Sequence, residues 1–94
     1  MTAQQIINDV AGYYGITPGQ LIHGDKHRKY SEPRHVAAYM MRTDLKMVFR
    51  AIGELLGDKK YSTIMYSVRK VNDWVNMPRL NPDAVKCINQ LKSY

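Results

Sequence analysis

Ninety-four residues suffice for one domain with a modest core and are too few for two. Hydrophobic residues make up 45% of the chain and charged ones 23%, ordinary globular proportions that argue against disorder. The net charge of +6 is concentrated in the middle, where eleven Lys/Arg stand against four Asp/Glu between Lys26 and Lys70, while the remainder holds three basic and four acidic residues. That distribution suits a polyanion-binding surface, and no segment joins a strong apolar face to a lysine-rich one as a membrane-surface helix would. No run of about 18 apolar residues offers a membrane span, and the polar N-terminus lacks the pattern of a secretory signal. Cys87, the only cysteine, can make neither an internal disulfide nor a cysteine-based zinc site, which points to a reducing cytoplasm.

Helical periodicity begins at once. Thr2 and Gln5 form a capping-box pattern before a helix over about Ala3–Tyr14, with Ile6, Ile7, Val10, Ala11 and Tyr14 in one stripe and Gly15 as its stop. Thr17-Pro18 opens a short helical turn through Ile22. His23 to Glu32 has no apolar periodicity and reads as a basic loop. Ser31 is the expected cap of the next helix, with Pro33 in its first turn and Val36, Ala37, Met40 and Met41 on its apolar face. The pattern stumbles around Thr43 to Val48, then restarts with Val48, Ile52, Leu55 and Leu56. Gly57-Asp58 is a turn, and a long helix follows over about Lys60–Asn76, with Ile64, Val68, Val71 and Val75 at spacings of four, three and four. Trp74 is expected to pack on a last helix, which starts at Asn81-Pro82-Asp83 and carries Val85, Ile88 and Leu91.

Nothing reads as strand. The fold expected is an all-α bundle of five to six helices, a single domain over residues 1–94. The pair of helices around residues 48–56 and 60–76, joined by a glycine-containing turn, fits a helix-turn-helix. On the second helix the face opposite the apolar stripe carries Tyr61, Ser62, Thr63, Tyr66, Arg69 and Lys70, so hydroxyls and cations stand where a recognition helix meets base edges. His23, His27 and His35 are not completed by a carboxylate or thiol into a metal set. Neither a nucleophile–base constellation nor a Gly-x-x-x-x-Gly-Lys-Ser/Thr phosphate loop occurs, so no cofactor and no catalysis are expected.

Residue by residue, Ile6-Ile7-Asn8-Asp9-Val10-Ala11-Gly12-Tyr13-Tyr14-Gly15-Ile16, then Pro33-Arg34-His35-Val36-Ala37-Ala38-Tyr39-Met40-Met41-Arg42, then Ile52-Gly53 with Leu56-Gly57, and finally Lys59-Lys60-Tyr61-Ser62-Thr63-Ile64 with Arg69-Lys70-Val71, resemble without a gap the C-terminal DNA-box-binding domain of the bacterial replication initiator DnaA. The resemblance covers about residues 6–72 and leaves the helix near 82–92 as an addition, a possible surface for a protein partner. It implies a Trp-repressor-like helix-turn-helix that binds double-stranded DNA. By position it places Lys60, Tyr61 and Ser62, with Lys59 beside them, in the major groove, and Lys26, with Arg28 beside it, in the minor groove. Arg34, His35, Arg42 and Thr63 fall at backbone contacts, to which we add Lys29, Arg50, Arg69 and Lys70.

The departures are informative. The family's Asp-His-Thr base readers are replaced by Lys60-Tyr61-Ser62, an acceptor by a donor at the first of them, which implies a changed base preference. Asp44 stands where the family has an apolar residue and Val48 where it has a capping serine. With Met1 directly before the first helix and no nucleotide-binding segment, the domain is expected to stand alone in a bacterial cytoplasm, on the nucleoid, its gene chromosomal or carried by a phage or mobile element. The expected function is transcriptional regulation. The alternatives are an accessory factor in replication initiation or for a mobile element, and an interaction adaptor that kept the fold without DNA. Target sequence and oligomeric state stay open.

Overall fold

The computed structural model describes residues 1–92. Six α-helices follow one another among them: α1 (Ala3–Tyr14), α2 (Pro18–His23), α3 (Arg28–Asp44), α4 (Phe49–Leu55), α5 (Tyr61–Asn76) and α6 (Pro82–Leu91), with a 3-10 turn at Pro78–Leu80 before the last. The all-α expectation holds.

Local chemistry sets most of the boundaries. Thr2 Oγ1 accepts from Gln5 N at 3.1 Å while Thr2 N donates to Gln5 Oε1 at 2.9 Å, and Thr17 and Gln20 repeat this reciprocal capping at α2. Gly15 closes α1 in the left-handed conformation at φ 70°, which lets Ile16 N return to Ala11 O and buries the Ile16 side chain. Asn81 Oδ1 accepts from Ala84 N at the start of α6.

One boundary departs from the sequence reading. Helix α3 begins at Arg28, so the basic loop is confined to Gly24–His27, and Arg28 and Lys29 lie in the first turn of a helix. Asp25 Oδ1 accepts from His27 N at 2.8 Å, and His27 O then accepts from both Tyr30 N and Ser31 N. The side chain of Asp25 thereby turns the chain into the helix three residues before Ser31, which caps nothing. Pro33 is consequently interior. Its missing N–H forgoes one intrahelical bond, that to the Lys29 carbonyl, a small loss set against full burial of the proline ring.

Helix α3 is the axis of the bundle. Val36, Ala37, Ala38, Met40 and Met41 are wholly buried, and the helix packs against α1, α2, α4, α5 and α6, which is why its polarity pattern is not that of a one-sided surface helix. Ile6, Ile7 and Val10 of α1, Leu21 of α2, Ile52 and Leu56 near α4, Ile64 and Val71 of α5, and Ala84, Cys87, Ile88 and Leu91 of α6 complete one continuous core. Trp74 is partly buried against it, beside Leu80 and Asn81. At the end of α3, Arg42 Nη1 donates to Met47 O at 2.9 Å and its guanidinium lies 4.5 Å from the Phe49 ring centroid. That clasp holds the irregular Leu45–Val48 connector, in which Lys46 takes a left-handed φ of 58°.

Candidate nucleic-acid interface

Helices α4 and α5 make the helix-turn-helix, and a close backbone approach fixes their turn. Lys59 N donates to Gly53 O at 2.9 Å, and a Cβ placed on Gly53 would stand 2.2 Å from Lys59 O, so only glycine permits this crossing. Gly57 and Asp58 both adopt positive φ, at 87° and 57°, and reverse the chain. Lys60 is then the extended residue in front of α5, and no side chain caps the helix there. Tyr61, Ser62 and Thr63 are exposed in the first turn, Tyr61 by 59%. An uncapped helix start with outward N–H groups carries partial positive charge and suits an anionic partner. Lys60 is exposed and Lys59 half-buried within the turn.

Along the same face, Tyr66 and Lys70 continue the series from Ser62 at intervals of four. Lys70 Nζ donates to Tyr66 Oη at 3.1 Å and lies 5.4 Å from its ring centroid. Tyr66 is 56% exposed, and its ring meets that of His35 edge-on at 6.0 Å. His35 Nδ1 is 2.6 Å from Ser67 Oγ, whose hydroxyl donates to Thr63 O. Because a carbonyl can only accept, the serine proton is committed to Thr63, and His35 Nδ1 carries the proton of the interhelical bond. Burial, then the nearby Lys70 and Arg34 charges, hold the imidazole down to about 4. His35 is therefore neutral at physiological pH and presents Nε2 as an acceptor, not a cation for phosphate.

The α2–α3 loop brings Lys26 out, exposed to solvent. Arg28 Nε donates to Glu32 Oε1 at 2.7 Å, and Lys29 extends over Tyr30. Lys26, Arg28, Ser31, Glu32, His35 and Lys70 line one cleft of about 340 Å³ that ends at Trp74, Leu80 and Asn81. The loop and the exposed face of α5 thus share a wall, on which Lys26, Arg28, His35 and Lys70 come together. Arg69 and Arg50 are exposed on α5 and α4.

Two predicted backbone contacts are placed differently. Arg34 is only 8% exposed. Its Nε donates to Leu21 O at 2.7 Å and its Nη2 to Gly24 O at 2.5 Å, satisfying the carbonyls that the end of α2 leaves without partners. Arg34 therefore buttresses the base of the basic loop, and Arg42 clasps the α3–α4 connector as described above. Sequence reasoning put Tyr66 on the recognition face without giving it a contact, and left Ser31 and Glu32 out of the site. The interval of four from Ser62 through Tyr66 to Lys70 was the available signal for the first of these, and the Arg28–Glu32 interval would have been one for the last had the helix been read from Arg28.

Among the described residues no three His, Cys, Asp or Glu side chains converge as a metal site requires, and no helix is long and apolar enough to cross a membrane. Cys87 is enclosed in the core, where burial pushes its thiol up to about 12.

A two-helix reading head with an uncapped, hydroxyl-rich start, flanked by a basic loop on a rigid helical frame, defines a DNA-binding helix-turn-helix domain. Residues 3–71 match the family model of the bacterial DnaA protein helix-turn-helix. The chain belongs to that family. It is 32% identical over 76 residues to the chromosomal replication initiator protein DnaA of Roseiflexus castenholzii, covering 81% of this chain and 16% of the relative. It is 30% identical over 92 residues to the Lactococcus lactis initiator, covering 98% of this chain and 20% of the relative. The chain therefore spans no more than a fifth of the curated relatives it matches.

Proposed function

We propose that this protein binds a specific duplex sequence, with the start of α5 in the major groove and the Lys26–Arg28 segment in the adjoining minor groove, and that it regulates transcription. The observation that carries the reading is the exposed Lys60-Tyr61-Ser62-Thr63 turn at an uncapped helix start, on the same side of the bundle as the cleft that joins Lys70 to Lys26 and Arg28. Exposed Lys70, Arg69 and Lys29 supply phosphate contacts that set register, and the α5 tips read bases. The replacement of the family's acidic first reader by Lys60 shifts the preferred site towards a guanine, whose O6 and N7 accept from lysine.

A second role, in replication initiation, is favoured by the names of the relatives, which are chromosomal replication initiators. Random-oligonucleotide selection with the purified chain tests the shared core of both roles, and mapping the recovered motif to promoters or to replication origins separates them. Recovery of no motif, with binding insensitive to salt, would leave an interaction adaptor as the function.

A further inference from the structure

A carboxylate sits on the floor of the basic cleft. The Glu32 side chain is 9% exposed, whereas its partner Arg28 is 78% exposed. Lys26, His35 and Lys70 line the cleft around it. A buried negative charge on a surface that meets a polyanion weakens that surface unless it orders something. On its inner side it acts on the buried Tyr14 hydroxyl, and on its outer side what it orders is Arg28. The contact uses Nε and Oε1 at 2.7 Å across one turn of α3, and the two terminal guanidinium nitrogens have no further partner among the described residues. A guanidinium held by Nε presents its terminal N–H groups outward in a fixed fork.

We propose that Glu32 is a positioning residue that aims Arg28 into the DNA minor groove, raising discrimination between flanking sequences and lowering affinity for DNA of any sequence. This rests on the DNA reading above. An arginine already fixed in one rotamer loses little freedom on entering the groove, where it meets A N3 and T O2 acceptors. Narrow A·T tracts concentrate the potential that draws it in. The carboxylate meanwhile offsets the charge with which a freely swinging Arg28 would hold phosphates of any sequence.

The test compares wild type, Glu32→Gln, Glu32→Asp, Arg28→Ala and the Glu32→Gln/Arg28→Ala double variant. Each is titrated, over a range of salt, on two duplexes that share the selected core and differ in A·T or G·C flanks. Circular dichroism establishes that each variant is folded. Glu32→Gln is expected to bind both duplexes more tightly at low salt, to steepen the log–log salt slope by about 0.9 as one more cation engages phosphate, and to lower the A·T-over-G·C ratio at least about threefold. Glu32→Asp, which keeps the charge and withdraws the carboxylate, is expected to lower the ratio with the slope unchanged. In the Arg28→Ala background Glu32→Gln is expected to leave the ratio untouched. A wild-type preference that survives both Glu32 variants, or a Glu32→Gln effect that persists without Arg28, overturns the proposal while the DNA reading stands. A wild type that binds no duplex overturns both.

Discussion

His35 of α3 and Ser67 of α5 are joined at 2.6 Å through His35 Nδ1 and Ser67 Oγ, a single bond that ties the central helix to the recognition helix. Burial, then the nearby Lys70 and Arg34 charges, hold His35 down to about 4, so in the folded protein Nε2 takes up a proton only near that pH. The unfolded chain takes up this proton near the ordinary histidine value of about 6.5. Between those two values the unfolded state binds more protons than the folded one, so stability is full above 6.5 and falls as pH drops towards 4.

Urea unfolding between pH 7 and pH 4 is expected to show this loss, on the order of 1–2 kcal/mol once solvent screening of a partly exposed ring is allowed for. His35→Gln should be less stable at pH 7 and should flatten that limb of the profile. An unchanged slope in the variant would assign the acid sensitivity to other groups.

Arg34 supports the loop from beneath. Arg34→Ala leaves the Leu21 and Gly24 carbonyls without their donors and is expected to destabilise the fold by about 2–4 kcal/mol in chemical denaturation. Arg34→Lys should recover less than half of this, because one ammonium cannot reproduce the fork that spans both carbonyls. Full stability with lost DNA affinity would instead restore Arg34 to the phosphate contacts that the resemblance implies.

Salt dependence counts the cations that are free to meet phosphate. With Arg34 and Arg42 committed to carbonyls and Lys26 and Arg28 assigned to the minor groove, the exposed set is Lys29, Arg50, Arg69 and Lys70, joined by Lys60 where it does not read a base. Four to five contacts predict a log–log slope of roughly −3.6 to −4.5 in equilibrium binding. A slope near zero would favour the adaptor.

Much of this was legible in the sequence because the signals were local. The Thr2/Gln5 pair, Gly15, Thr17-Pro18 and Asn81-Pro82 each satisfy or terminate backbone groups within a few residues, and the structure places the helix ends where they fall. Ser31-Glu32-Pro33 looked equally local and misled, since an Asp25 turn six residues upstream had already started the helix. The inward turn of Arg34 was not legible at all. It is set by carbonyls at residues 21 and 24, brought near only when α2 folds back on α3. The pairing of His35 with Ser67 spans 32 residues and is likewise a product of packing.

At the start of α5 the expected outcome is a change of code. Lys60→Ala should cost about 1–3 kcal/mol on a site whose guanine it reads, and much less on random DNA. Parallel selections with Lys60→Ala, Tyr61→Ala and Ser62→Ala are expected to return motifs that differ from wild type at separate positions. Tyr66→Phe, which removes only the hydroxyl that engages Lys70, should weaken binding uniformly with the motif intact. One motif from all these proteins, at different affinities, would show that the helix start touches backbone only, and a wild type that selects the unaltered initiator box would refute the changed preference.

The region matched by the family ends at residue 71, but the core continues past it. Ala84, Cys87, Ile88 and Leu91 of α6 are buried against α1, α3 and α5, and Lys92 approaches Asp44 at the far end of α3. The family model and the folded core therefore have different borders in this molecule, and the Lactococcus lactis match, over 92 residues, runs with the core through α6. A hybrid that receives only residues 3–71 inherits the reading head without the helix that seals it. Its solubility then depends on whether the recipient's own following segment is complementary to α1 and α3, so specificity and foldability cannot be transplanted in the same cut.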